Sequence, residues 1–180
     1  MELTDTFELK NGSRQFNYFK CIQYLQQQGR YLYGSSYSIN KSQLQSLYKL
    51  LAYASQNTSQ CRFYGIDKHR GLLITGPENS GKTSLMHLLK PFFQPQHQYV
   101  IRSSREVAAC YNLFGKDTLE KYLSNNIHYC FDDLGWECFT GHRGGNSELV
   151  SQLIQLRLTQ SAPTHIITRM EADELKKRYG

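Results

Sequence analysis

With 180 residues and a formal charge of +6, the chain is long enough for one sizeable core, or one α/β core with a small appendage, and too short for two full domains. No stretch approaches the roughly 18 to 20 apolar residues of a membrane span, and Met1-Glu2-Leu3-Thr4-Asp5 lacks the basic-then-apolar order of a signal peptide, so a cytoplasmic protein without membrane partners is expected. Cys21, Cys61, Cys110, Cys130 and Cys138 are odd in number, form no C-x-x-C pair and do not cluster with histidines, which argues for free thiols and against a disulfide framework or a zinc site.

Residues 1–65 read as a basic, Tyr- and Gln-rich helical region. Phe16, Phe19, Ile22 and Leu25 fall at helical spacing, as do Leu44, Leu47, Leu50, Leu51 and Ala54, with Gly29 and Gly34-Ser35-Ser36 between the two runs. Between Leu9 and Ile66 there is no acidic residue, while Lys10, Arg14, Lys20, Arg30, Lys41, Lys49 and Arg62 are basic. Tyr18, Phe19, Tyr24, Tyr31, Tyr33, Tyr37, Tyr48, Tyr53, Phe63 and Tyr64 are interleaved with them. Rings among cations suit single-stranded nucleic acid, whose bases stack while its phosphates meet the charges. The same rings can instead form the core of a small helical unit, or a dock for a partner protein.

From about Gly71 the rhythm changes to alternating strands and helices, the pattern of a parallel sheet with helical crossovers. Strands are expected at 71–75, 98–102, 127–131 and 164–168. Helices are expected at 83–90, from Ser103 to Gly115 with Ser103 and Glu106 as a capping box, and at 117–123, 147–159 and 173–179. Between the first strand and its helix lies Gly76-Pro77-Glu78-Asn79-Ser80-Gly81-Lys82-Thr83. Two glycines, a lysine and a hydroxyl at this spacing make a phosphate-binding loop. Its amides wrap a polyphosphate, Lys82 reaches the terminal oxygens and Thr83 offers a hydroxyl to Mg²⁺. Gly76, Pro77, Glu78, Asn79, Ser80, Gly81, Lys82, Thr83 and Ser84 are the candidate nucleotide-binding residues. The third strand leads into Asp132-Asp133, where a carboxylate at the carboxyl end of a buried strand sits beside the nucleotide's metal. Asp132 is thus the expected Mg²⁺ partner with Thr83, and Asp133 the group that polarises a water for attack on the terminal phosphoryl.

These residues, with Phe131-Asp132-Asp133-Leu134-Gly135-Trp136-Glu137, Gly145-Asn146 and the run from Pro163 to Gly180, resemble AAA+ ATPases of the DnaC/IstB type, helicase loaders and transposition helpers. The resemblance covers about residues 66–180. It implies a three-layer P-loop NTPase fold with a mostly parallel sheet and ATP and Mg²⁺ as ligands. Implied partners are single-stranded or duplex DNA and a replicative helicase or transposase, with homo-oligomers as the active state. It also implies a polar sensor at the end of the fourth strand, usually Thr-Asn. Here the pair is Thr168-Arg169, which makes Thr168 the sensing candidate and puts a cation, unable to accept a hydrogen bond, in the place of Asn. In this family the arginine finger and the helical lid follow the Arg-Tyr-Gly stretch, where this sequence stops. The expectation is an ATPase, slow as an isolated chain, with Lys82, Asp133 and Thr168 catalytic and the completing arginine supplied in trans; Arg143, Arg157 and Arg178 are substitutes within the chain.

Three other readings share the phosphate loop. A nucleotide-gated scaffold would bind ATP and hardly turn it over. A superfamily 3-like helicase domain carries a related loop and strand-end polar motif, and a small-molecule or nucleotide kinase would need an arginine-rich lid after the third strand, where 137–146 supplies only Arg143.

Overall fold

The computed structural model of the chain describes residues 1–10, 12–124, 126–136 and 145–179. They form two compact units, one of residues 1–69 with 84–98, the other of residues 70–83 with 99–180. Among the described residues no helix is long and apolar enough to cross a membrane.

The first unit opens with a β-hairpin that the periodicity of the sequence does not announce: β1 (Phe7–Lys10) pairs antiparallel with β2 (Ser13–Phe16). Phe16 therefore belongs to a strand rather than to the first helical run. Asn17 starts α1 (Tyr18–Tyr33) by accepting the Lys20 N–H at 3.2 Å, and Gly34, with φ +98°, ends it. The inner face of α1 buries Cys21, Leu25 and Gly29. The Tyr37 ring occupies the space that a side chain at Gly29 would need, since a Cβ there would stand 2.1 Å from Tyr37 Cε1. Gln26 fixes the same loop, donating to the Tyr37 carbonyl and accepting the Ile39 N–H, both at 2.7 Å. Helix α2 (Leu44–Ala54) buries Leu47, Leu51 and Ala54, and Asn57 caps α3 (Thr58–Phe63). Phe92 receives the rings of Phe16 and Tyr24 at centroid distances of 5.6 and 5.7 Å, and Phe93 that of Tyr53 at 5.9 Å.

The second unit holds the expected parallel sheet. Strands β3 (Leu73–Ile74), β4 (Tyr99–Ser103), β5 (His128–Leu134) and β6 (Thr164–Thr168) lie in the order β3-β6-β5-β4. Helix α4 (Lys82–Leu89) follows β3, its residues from 84 onward belonging to the first unit, and α5 (Ser104–Phe114), α6 (Lys116–Leu123), α7 (Gly145–Thr159) and α8 (Ala172–Tyr179) complete the α/β alternation of the second. Ser103 caps α5 by accepting the Arg105 N–H, while Glu106 lies 4.0 Å from Arg102 as an i,i+4 pair. Tyr129 and Phe131 of β5 pack with Val107 of α5, Tyr122 of α6 and Leu153 of α7. Leu134 packs with Ala108 of α5 and with Val150 and Ile154 of α7. Leu134 lies three positions beyond Phe131, an odd step that would reverse the face of a regular strand. A register irregularity between them, with Asp133 at φ +55°, restores the face.

Arg157, fully buried, ties this unit together. Its guanidinium donates to the carbonyls of Tyr122, Ser124, Ile127 and Pro163 and to Thr164 Oγ1, and it lies 4.9 Å from the Tyr129 ring centroid. One planar fork thus satisfies the chain ends that lead into both β5 and β6. Arg157→Met should lower the unfolding free energy by about 3 kcal/mol or more, because several buried carbonyls lose their donors together. Urea unfolding measures this, and recovery of full stability by Arg157→Lys would refute the role of the fork.

His165 in β6 is also buried, and its Nδ1 accepts the Leu72 N–H at 3.1 Å. Burial first, then the nearby His128, pushes its pKa down to about 4. The folded pKa lies below the unfolded value of about 6.5, so the neutral ring's contribution is present above pH 6.5 and is lost as pH falls toward 4. Unfolding free energy should fall by about 3 kcal/mol over that window. Chemical denaturation at stepped pH would show a slope that His165→Gln removes.

Candidate functional site

The turn from β3 into α4 is a loop whose backbone takes conformations suited to glycine: Gly76 has φ +146° and Gly81 φ +82°. Asn79 adopts φ +58°, a region that its short polar side chain tolerates. Successive amides in such turns form a concavity for anions. Lys82 folds back over the loop, donating to the carbonyls of Gly76 at 2.8 Å and Pro77 at 2.6 Å and to Ser80 Oγ at 3.3 Å. Its pKa is lowered, first by burial and then by the positive charge of Arg169, against the opposing pull of Asp132, Asp133 and Glu78. The ammonium thus sits among hydrogen-bond acceptors of the loop itself. Ser84 is the residue that follows Thr83 on α4.

Thr83 Oγ1 donates to Asp132 Oδ2 at 2.8 Å. Asp132, 7% exposed, uses its other oxygen to accept the Asp133 N–H at 2.8 Å. A hydroxyl and a carboxylate are hard oxygen donors, few in number, which is the donor set for Mg²⁺ held chiefly by phosphates and water. The residues present therefore fit the metal. The structure extends β5 through Leu134, so both aspartates belong to the strand's last residues and not to a turn after it. The irregularity described above lets Asp132 face Thr83 while Asp133 turns outward, 42% exposed at its side chain.

Thr168 is fully buried, and its hydroxyl donates to the Leu134 carbonyl at 2.8 Å and accepts the Met170 N–H at 3.1 Å. That hydroxyl joins the ends of β5 and β6. Arg169, next in sequence, reaches the loop instead: Nη1 lies 2.6 Å from Glu78 Oε2 and Nη2 4.0 Å from Asp133 Oδ1, and Cζ stands 4.1 Å from the Trp136 ring centroid. The engagement of Arg169 by Glu78 and the stacking on Trp136 escape a reading of sequence alone; a lone tryptophan between two separated arginines, Arg105 and Arg169, carries no local signature. Of the substitute arginines, Arg157 is locked in the interior as described, Arg178 is exposed and donates to the Gly135 carbonyl at 2.9 Å, and Arg143 lies outside the described residues. Glu137 lies outside them too.

No protein-family model and no curated protein matches the chain. Among solved structures it is similar to the DnaC helicase loader, with a TM-score of 0.60 and 20% identity over 81% of this chain and 85% of that one. It is also similar to AMPPCP-bound DnaA from Aquifex aeolicus, with a TM-score of 0.54 and 12% identity over 79% of this chain and 45% of that one. At such identities the likeness is one of fold. The chain has the α/β fold seen in DnaC and DnaA, and the loop 76–83, the strand-end aspartates and Arg169 lie at the carboxyl ends of its parallel strands.

Proposed function

We propose that the chain is a cytoplasmic ATP-binding protein of the DnaC-like AAA+ kind, which couples Mg·ATP binding and slow hydrolysis to assembly on DNA or on a helicase or transposase. The observation that supports the reading is the 2.8 Å hydrogen bond between Thr83 and Asp132, which sets two hard oxygen donors side by side at the end of the loop 76–83. The backbone amides of 76–83 and the Lys82 ammonium bind the phosphates. Thr83 and Asp132 would hold Mg²⁺, whose charge would offset that of the phosphate oxygens. Asp133, half-buried and next to Asp132, orients the attacking water. Thr168 positions the strand ends through Leu134 and Met170.

An arginine for the transition state is worth about 10³ to 10⁵ in turnover among P-loop hydrolases. Burial removes Arg157 from that role, which supports an arginine supplied by a neighbouring copy. Titration of Mg·ATP should show Lys82→Ala weakening binding about 100-fold, since it removes a charge-assisted contact to phosphate. The steady-state ATPase rate of the isolated chain should be low and rise faster than linearly with protein concentration. Turnover of several per second at dilution would overturn the trans arginine, and tight binding with a flat low rate would favour the scaffold reading.

The first unit supports contact with single-stranded DNA. Phe19, Tyr31 and Phe63 are 67%, 84% and 77% exposed, and each adjoins an exposed base, Lys20, Arg30 or Arg62. Rings left in water beside cations fit stacked bases and phosphates better than a helical core. Affinity for an oligo(dT) strand should fall steeply with salt, and the triple variant F19A/Y31A/F63A should lose at least about tenfold. Binding that is unchanged in this variant would leave those rings to a protein partner.

A further inference from the structure

Helix α1 turns Cys21, Leu25 and Gly29 inward. At about 100° per residue, Phe19, Lys20, Gln23, Gln27, Arg30 and Tyr31 share an arc of about 120° on the opposite side. All six are exposed, Phe19 by 67% and Tyr31 by 84%. Two rings, two primary amides and two cations thus stand on one surface, to which α1 contributes no carboxylate. Side chains of the same kinds elsewhere on the helix are engaged: Gln26 holds the loop at Tyr37 and Ile39, Tyr18 is stacked with Tyr48 at 6.1 Å, and Tyr24 meets Phe92. Among the described residues the Gln23 and Gln27 amides have no hydrogen-bond partner, and Lys20 and Arg30 no ion pair. At about 1.5 Å of rise per residue the two rings lie about 18 Å apart along the axis. That is room for at most about five nucleotides at the stacked rise of about 3.4 Å per strand.

We propose that the outer face of α1 takes the Watson–Crick edges of a single DNA strand, Gln23 and Gln27 bonding to bases that Phe19 and Tyr31 hold by stacking, so that this face selects unpaired over paired bases without regard to sequence. The inference rests on the reading of the first unit as a contact for single-stranded DNA. Every base carries a donor and an acceptor side by side on that edge, and a primary amide offers one of each and turns over to match either order. In a duplex those groups are already paired and the faces of the bases are covered, so neither the amides nor the rings find a partner. Lys20 and Arg30 meet the phosphates, which supply attraction but no discrimination between strand states.

The test measures anisotropy of the full chain with three labelled probes: an oligo(dT) strand, an abasic strand of equal length, and the oligo(dT) strand paired with oligo(dA). Wild type should hold oligo(dT) at least about tenfold more tightly than the abasic strand. Q23A/Q27A should lower the ratio of oligo(dT) to abasic affinity, and of oligo(dT) to duplex affinity, about tenfold each, with the salt dependence unchanged. K20A/R30A should instead make the slope of log affinity against log salt shallower by about 1.4 for either single strand and keep their ratio. These positions are exposed, and matching urea unfolding curves establish that the variants fold alike. Ratios unchanged in Q23A/Q27A would overturn the role of the amides and leave the single-strand contact standing. If wild type holds oligo(dT) no better than the abasic strand, the stacking surface fails and the role of the amides with it.

Discussion

A hydrogen bond of 2.8 Å from Thr83 to Asp132 joins two residues 49 positions apart, one at the start of α4 and the other near the end of β5. The loop 76–83 is by itself a run of carbonyls and amides with one lysine folded over it. The bond anchors the end of this loop to an interior strand of the sheet, so that its hydroxyl, its lysine and the strand-end carboxylates face a common point. Asp132 can accept this bond, though nearly buried, because its second oxygen is satisfied by the next backbone N–H. The irregularity of β5 makes the arrangement possible. It turns Asp132 and Asp133 to different surroundings and still returns Leu134 to the apolar face with Phe131's helices.

A second constraint acts behind the site. Arg157 fills its donor sites chiefly with backbone carbonyls from the segments that precede β5 and β6. Buried arginines are costly to desolvate, and the cost is offset here because the planar fork pairs with carbonyls that would themselves be orphaned. Two interior strands thereby enter the sheet at a fixed height. Their other ends, tied by Thr168 to Leu134 and Met170, carry Asp132, Asp133 and Arg169. The site is thus set by polar bonds at both ends of an apolar sheet.

The first unit follows a different logic. Its interior is made by Leu25, Leu47, Leu51, Phe92 and Phe93, with Gly29 yielding room to Tyr37. The rings of Phe19, Tyr31 and Phe63 take no part in that interior. Aromatic residues in a basic sequence can serve a core or a stacking surface equally well, and only exposure separates the two.

Much of the fold around the candidate site was legible from local pattern. The loop 76–83, its flanking strand and helix and the four parallel strands follow from spacing, because a phosphate loop needs particular residues at particular backbone positions and a buried strand needs a continuous apolar run. The position of Asp132 near the carboxyl end of such a strand was legible too. The hairpin of β1 and β2 was not legible, since two four-residue strands around a short turn carry too little pattern to separate them from the helix that follows. Tertiary structure alone decided the fate of the arginines. Arg157, Arg169 and Arg178 look alike in sequence, yet one is buried among carbonyls, one is paired with Glu78 of the loop 76–83 and one lies at the surface. The physical reason is reach: a guanidinium at the end of a long side chain is defined by the acceptors around it, and these come from segments tens of residues away that only folding brings together.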